Sequence, residues 1–316
     1  MARVDVFYHS DSQQHGRALP DGPALQHPEQ PDRIAAVLRA LDAKAFCGLN
    51  WREAELAAPE IMKRHHDPAY VYRVLAPVEP GQVIALDADT NQTWASAGAA
   101  SRAVGGAVQA VHDVCEGRCD RAFVLMRPPG HHAETARSMG FCLFGTVAIA
   151  AKEALERPDV SRVSVIDFDV HHGNGTQDLL WNVEAAQFFS SHQMPLWPGT
   201  GERTERGAHG QIHNLPLPSG SDGAHMRQVY TDKVFPAIAA HDPNLILISA
   251  GFDAHRNDPL AGLNWDTDDF RWLSDQLVDL ADTHCQGRIV SCLEGGYDLE
   301  ALAQSAGEHV LALMAG

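Results

Sequence analysis

The eleven residues DFDVHHGNGTQ (167–177) stand directly behind the apolar run VSVI (163–166). Two aspartates, two adjacent histidines and two glycines thus close what reads as a short buried strand. A buried carboxylate is costly unless it is paired or bound to a metal. Asp169 and His171 are two apart, so in extended backbone they face the same side. A strand that ends this way points to a site, not to a turn.

The same arrangement recurs on both sides of this stretch. RPPGHH (127–132) follows a predicted strand over Ala122–Met126, GFDAHRNDP (251–259) follows one over Leu245–Ser249, and EGGY (294–297) follows one over Ile289–Leu293. Further strands are expected over Val4–Tyr8, Val163–Ile166 and Gln187–Ser190, with helices over Ser96–Val114, Thr146–Leu155, His225–Ala240 and Thr267–Thr283. Strand and helix in alternation imply an α/β protein, a parallel sheet covered on both faces. The Pro- and Gly-rich stretches 13–30 and 194–223 read as surface loops. No repeat, low-complexity tract or long linker divides the chain, so 1–316 is expected to form one domain. Open α/β sheets build their sites at the C-terminal ends of their strands, so the four clusters should meet in one place. Asp253 is the natural third ligand, through oxygen, beside Asp169 and His171. Such a His/carboxylate trio with an open fourth position suits a catalytic zinc that holds water.

Composition narrows the function classes. Forty-one acidic against twenty-four basic side chains give a net charge of -17, which disfavours nucleic acid and anionic membrane surfaces and suits a cationic substrate. No apolar run approaches the roughly 18 residues that span a membrane, and the start ARVDV (2–6) reads as a strand and not as a signal peptide. Six cysteines without regular spacing suggest free thiols in a reducing compartment, the cytoplasm. Cys115 and Cys119 lack the second pair that a structural zinc site would need.

These motifs resemble those of the histone deacetylase-family amidohydrolases, with the pattern of the class II and bacterial branch. The likeness runs in order through HPEQPDRI (27–34), HHDPAYV (65–71), RPPGHHAE (127–134), GFCLF (140–144), DFDVHHGNGTQ (167–177), SAGFDAHRNDPLAG (249–262) and EGGY (294–297). The resemblance implies the arginase/deacetylase fold, one three-layer α/β domain around a mainly parallel eight-stranded sheet. It implies one zinc per chain on Asp169, His171 and Asp253, and a structural potassium on Asp167, Asp169, His171, Ser190 and Ser191. It makes His131, leaning on Asp167, an electrostatic partner, because a carboxylate raises an imidazole pKa. His132 leans on Asn174, a neutral amide that orients the ring without raising its pKa, and so becomes the general base and acid. Tyr297 becomes the donor to the oxyanion. Gly140, Phe141, Trp197 and Leu260 become the walls and rim of an acyl-chain tunnel. The substrate implied is an acetylated amine, either an acetyl-lysine peptide or protein or an acetylated polyamine. Polyamine specialists in the family can carry a rim glutamate where this chain has Leu260, which favours acyl-lysine.

Some features fit less directly. His65-His66 precedes DPAYV and reads as a helix-start signal. Gly145-Thr146 replaces the family's usual Asn-Asn, which concerns local packing behind the site. Cys142 is expected to be a reduced, buried thiol. An arginase-type ureohydrolase would need two manganese ions held by Asp-x-His-x-Asp and Asp-x-Asp, but Gly173 and His255 stand where those carboxylates belong. A catalytically silent acyl-lysine reader would not need the full set of His131, His132, metal ligands and Tyr297.

Overall fold

The computed structural model describes residues 2–315. Its ten strands are β1 (Val4–Tyr8), β2 (Asn50–Glu53), β3 (Ile84–Ala85), β4 (Asn91–Gln92), β5 (Arg121–Val124), β6 (Val163–Asp167), β7 (Ala186–Gln193), β8 (Ile212–Leu217), β9 (Leu245–Ala250) and β10 (Ile289–Leu293). Eight of them form one sheet in the order β2-β1-β5-β10-β9-β6-β7-β8, and every pairing in it is parallel. β3 and β4 make a separate antiparallel ribbon.

Strand alternation explains the layers. Ile246 and Ile248 of β9 face one core, with Val4, Val6, Phe123 and Ile289, under the helices Asp32–Leu41, Thr267–His284 and Leu299–Met314. Leu245 and Leu247 face the other, with Phe7, Val124, Val163 and Val290, under Ser96–Cys115 and Thr146–Leu155. Both faces of the central strands are therefore dry, which is why they read as near-continuous apolar runs. Cys115 and Cys119 are buried in this second core as free thiols.

Two strands of the eight-stranded sheet had no signature in the sequence, and both are its edges; the two-residue ribbon strands β3 and β4 were not expected either. β2 reads Asn-Trp-Arg-Glu and is mostly exposed. β8 lies inside the stretch expected to be loop and contains Pro216, which an edge strand tolerates because one row of its backbone groups needs no partner. The expected helix His225–Ala240 is interrupted. α-Helical turns Gly223–Val229 and Phe235–His241 flank a wider turn at Tyr230–Val234, next to Pro236, whose missing N–H cannot complete an α-helical ladder. No helix of the described residues is long and apolar enough to cross a membrane.

The loop features resolve as structure. Asp67 accepts from Tyr70 N and caps the helix Pro68–Leu75, while His65 bonds Glu153 at 2.6 Å. His66 Nε2 accepts from Gly145 N at 3.0 Å, and a Cβ on Gly145 would stand 2.3 Å from Leu179 Cδ1. An asparagine there would have to displace the Leu179 side chain. Cys142 is a buried free thiol, as its setting suggested.

Candidate functional site

The four clusters leave the sheet from β5, β10, β9 and β6, which are its four central neighbours. Their C-terminal ends therefore open side by side, and the loops that follow are held by the same carboxylates that make the site. Asp167 Oδ1 accepts from Asp169 N at 3.1 Å, and Asp169 Oδ1 accepts from His171 N at 2.9 Å. Asp253 Oδ1 accepts from Val170 N at 2.8 Å, which ties the β9 loop to the β6 loop. Asp169 Oδ2 accepts from Gly295 N at 2.8 Å and ties in β10.

What remains of these side chains converges. One ligand atom each from Asp169, His171 and Asp253 lies within 4.8 Å of the others, and His171 Nδ1 is 3.1 Å from both Asp169 Oδ1 and Asp253 Oδ2. All three residues are buried. Burial lowers the His171 pKa, yet its bonds to Asp169 and Asp253 outweigh that and hold it up at about 10. Burial, together with the Asp169 charge, pushes the Asp253 carboxyl upward. The donor set thus asks for positive charge between two carboxylates and one imidazole, and a divalent cation fits it. Among the described residues this is the one cluster of three or more such side chains with that geometry. His255 does not join it: its Nδ1 accepts from Asn257 N at 3.2 Å. At Gly173 a Cβ would stand 2.1 Å from Asp167 Oδ2, so a side chain there would have to displace the Asp167 carboxylate.

The tandem histidines lie beside this centre with rings 3.8 Å apart and contrasting partners. His131 Nδ1 is 3.0 Å from Asp167 Oδ2. Burial lowers its pKa, but Asp169 and Asp167 outweigh burial and hold it well above the ordinary histidine value. His132 Nδ1 is 2.8 Å from Asn174 Oδ1. The amide's orientation is fixed because Asn174 Nδ2 donates to Glu134 Oε1 at 2.8 Å. His132 Nδ1 therefore carries the hydrogen and Nε2 the lone pair. Burial, then the charges of His131 and His171, hold His132 well below the ordinary value. The surroundings thus favour the charged form of His131 and the neutral form of His132.

Above them lies a cavity of about 190 Å³ lined by Asp89, His132, Gly140, Phe141, His171, Leu196, Trp197, Leu260 and Tyr297. Trp197 stands edge-on to His132 at 4.7 Å, and Phe141 edge-on to Tyr297 at 5.9 Å. Gly140 is obligatory: its φ is +55°, and a Cβ there would meet His132 Cδ2 at 2.4 Å. Trp197 remains 41% exposed, so it belongs to the mouth. Ser190 pairs in register with Asp167, and the Ser191 hydroxyl is engaged with the Tyr230 hydroxyl at 2.8 Å.

Several residues around the site were not singled out by sequence reasoning. Asp89 puts a carboxylate at the mouth, so the rim is not wholly apolar as Leu260 alone suggested. Glu294 Oε2 accepts from Gly130 N at 2.6 Å and His131 N at 3.2 Å, and so positions the tandem pair. Glu29 is buried between Arg33, at 3.0 Å, and Arg127, which holds it bidentately. A carboxylate buried with two guanidiniums leaves a trace in sequence only as charges inside the HPEQPDR and RPPG motifs. Asp89 leaves none.

Comparison with known proteins agrees with this geometry. The profile of the histone deacetylase domain matches residues 27–313. A histone deacetylase-like amidohydrolase of Pseudomonas aeruginosa is 35% identical over 96% of this chain and 82% of its own. A probable deacetylase of Archaeoglobus fulgidus is 34% identical over 92% of this chain and 82% of its own. The crystal structure of an HDA15 HD domain superposes with a TM-score of 0.91 at 29% identity, covering 99% of this chain and 90% of that one.

Proposed function

The chain belongs to the histone deacetylase family, and from that premise we propose that it is a zinc-dependent deacetylase acting, as one catalytic domain, on N-acetylated amines. The observation that carries the reading is the buried convergence of Asp169, His171 and Asp253 beside the His132–Asn174 pair, at the floor of a tunnel. Asp169, His171 and Asp253 would hold the zinc, which when bound activates a water molecule and polarises the substrate carbonyl. His132 takes a proton from the attacking water at Nε2 and returns it to the departing amine. His131 supplies fixed positive charge beside it. Tyr297 donates a hydrogen bond to the carbonyl oxygen as that atom gains charge. Phe141 and Trp197 hold the acyl-bearing chain and exclude water. A structural potassium is proposed on Asp167, Asp169, His171, Ser190 and Ser191. The six free thiols fit a reducing compartment such as the cytoplasm.

Metal content tests the first step. Apoprotein reconstituted with metal should take up about one transition-metal equivalent, as expected of a single three-ligand site, and Asp253→Ala should abolish that uptake. Reproducible two-metal uptake with manganese-dependent urea release would instead favour the ureohydrolase reading.

The substrate follows from the rim. Leu260 packs on the methylenes of a lysine side chain but cannot pair with a distal ammonium, so acyl-lysine is proposed ahead of acetylpolyamine. Asp89 at the same mouth accepts hydrogen bonds from either substrate, which narrows that margin. Leu260→Glu is expected to shift relative kcat/KM toward an acetylated polyamine by about tenfold, the scale of a partly buried charge pair. A wild-type enzyme that already prefers the polyamine strongly would sink the acyl-lysine choice.

A further inference from the structure

We propose that Asp258 is a positioning residue for Tyr297, holding the phenol's backbone in the one place where it serves the carbonyl oxygen. Asp258 lies in the loop that follows β9 and is buried. Its Oδ2 accepts from Tyr297 N at 2.7 Å and from Asp298 N at 3.4 Å, while its Oδ1 accepts from Leu260 N at 3.0 Å. One carboxylate thus binds the turn that carries the phenol and, through its other oxygen, the rim of the tunnel.

The turn needs such a hold. Tyr297 follows Gly295-Gly296, and Gly296 has a φ of +119°, a conformation that confers no stiffness of its own. Arg33 grips the same turn, donating from Nε to Gly296 O at 2.6 Å and lying 5.0 Å from the Tyr297 ring centroid. Arg33 fixes the residue before the tyrosine and covers its ring. Asp258 is the group that fixes the tyrosine's own N–H. A charged acceptor makes shorter, stronger bonds to backbone N–H than a neutral one. Displacement of a reacting group by about 1 Å can cost on the order of 10²-fold in rate.

A plainer role is open to the same residue. Asp258 could simply anchor the start of the helix Leu299–Met314, whose first turn is capped by the Asp298 side chain accepting from Ala301 N. The two roles differ in whether the effect passes through the phenol.

A double-mutant cycle separates them. Asp258→Asn, with Asp258→Ser as a second variant, is made in the wild type and in Tyr297→Phe. Kinetics, metal content and hydrogen exchange across residues 295–298 are then measured. Acting through Tyr297, either substitution lowers kcat by about 10–100-fold with KM and metal content nearly unchanged. It speeds exchange in that segment, and it costs less than about threefold when the phenol is already gone, because coupled residues are not additive. An equal loss in both backgrounds overturns the proposal, as does unchanged kcat or a loss of activity that tracks a loss of metal. The inference rests on the donor role proposed for Tyr297. Near-full activity of Tyr297→Phe alone removes that role and this inference with it. A large loss there, with an undiminished further loss from Asp258→Asn, removes this inference only.

Discussion

His132→Ala is expected to lower kcat by about 10²–10⁴-fold, the range that a positioned general base and acid supplies, with KM changing little. The reasoning is geometric. The Asn174 amide is locked by Glu134, so it can only accept from His132 Nδ1, which turns the Nε2 lone pair toward the cavity. Burial and the neighbouring His131 hold its pKa well below the ordinary histidine value. No other side chain lining the cavity has those properties: His171 is committed to Asp169 and Asp253, and Asp89 lies at the mouth. His131→Ala removes charge but not the proton acceptor, so it should leave measurably more activity than His132→Ala. The check is single-turnover kinetics on an acetyl-lysine peptide, with metal content matched across the variants. Equal losses from the two substitutions would refute the division of labour.

The parts of this molecule that were legible in its sequence share a physical cause. Val163–Asp167, Leu245–Ala250 and Ile289–Leu293 are buried on both faces, so their apolar runs stand out against the polar loops that follow. Each loop carries charge that would be untenable next to a dry strand unless it had a purpose, and that contrast exposed Asp169, His171, Asp253 and the tandem histidines. β2 and β8 were invisible for the converse reason. An edge strand is stabilised by a partner on one side only and need not be apolar, so Asn50–Glu53 and the proline-bearing Ile212–Leu217 carry no signature. The residues that hold the site together lie inside the HPEQPDRI, GFDAHRNDP and EGGY motifs, but their roles were hidden for a third reason. Glu29, Glu294 and Asp258 act through backbone N–H groups and guanidiniums brought together only by the fold. Glu29 and Arg127 are 98 positions apart, and nothing local marks such a pair.

Tyr297→Phe is expected to cost about 10²–10³-fold in kcat, the usual loss when one donor to a developing oxyanion is removed. Phenylalanine keeps the ring, and with it the edge contact to Phe141 and the cover of Arg33. The backbone N–H bonded to Asp258 survives as well. Only the hydroxyl disappears, so tunnel shape, substrate affinity and metal uptake should stay close to wild type, and the loss should fall on kcat, not on KM. That split is what distinguishes a donor used in the transition state from a wall residue, whose removal would weaken substrate and transition state alike. Steady-state kinetics with an acetyl-lysine peptide, alongside metal analysis, reads it directly. A variant with raised KM and unchanged kcat would make Tyr297 part of the tunnel wall. A variant with nearly full kcat/KM would remove the donor role proposed for Tyr297.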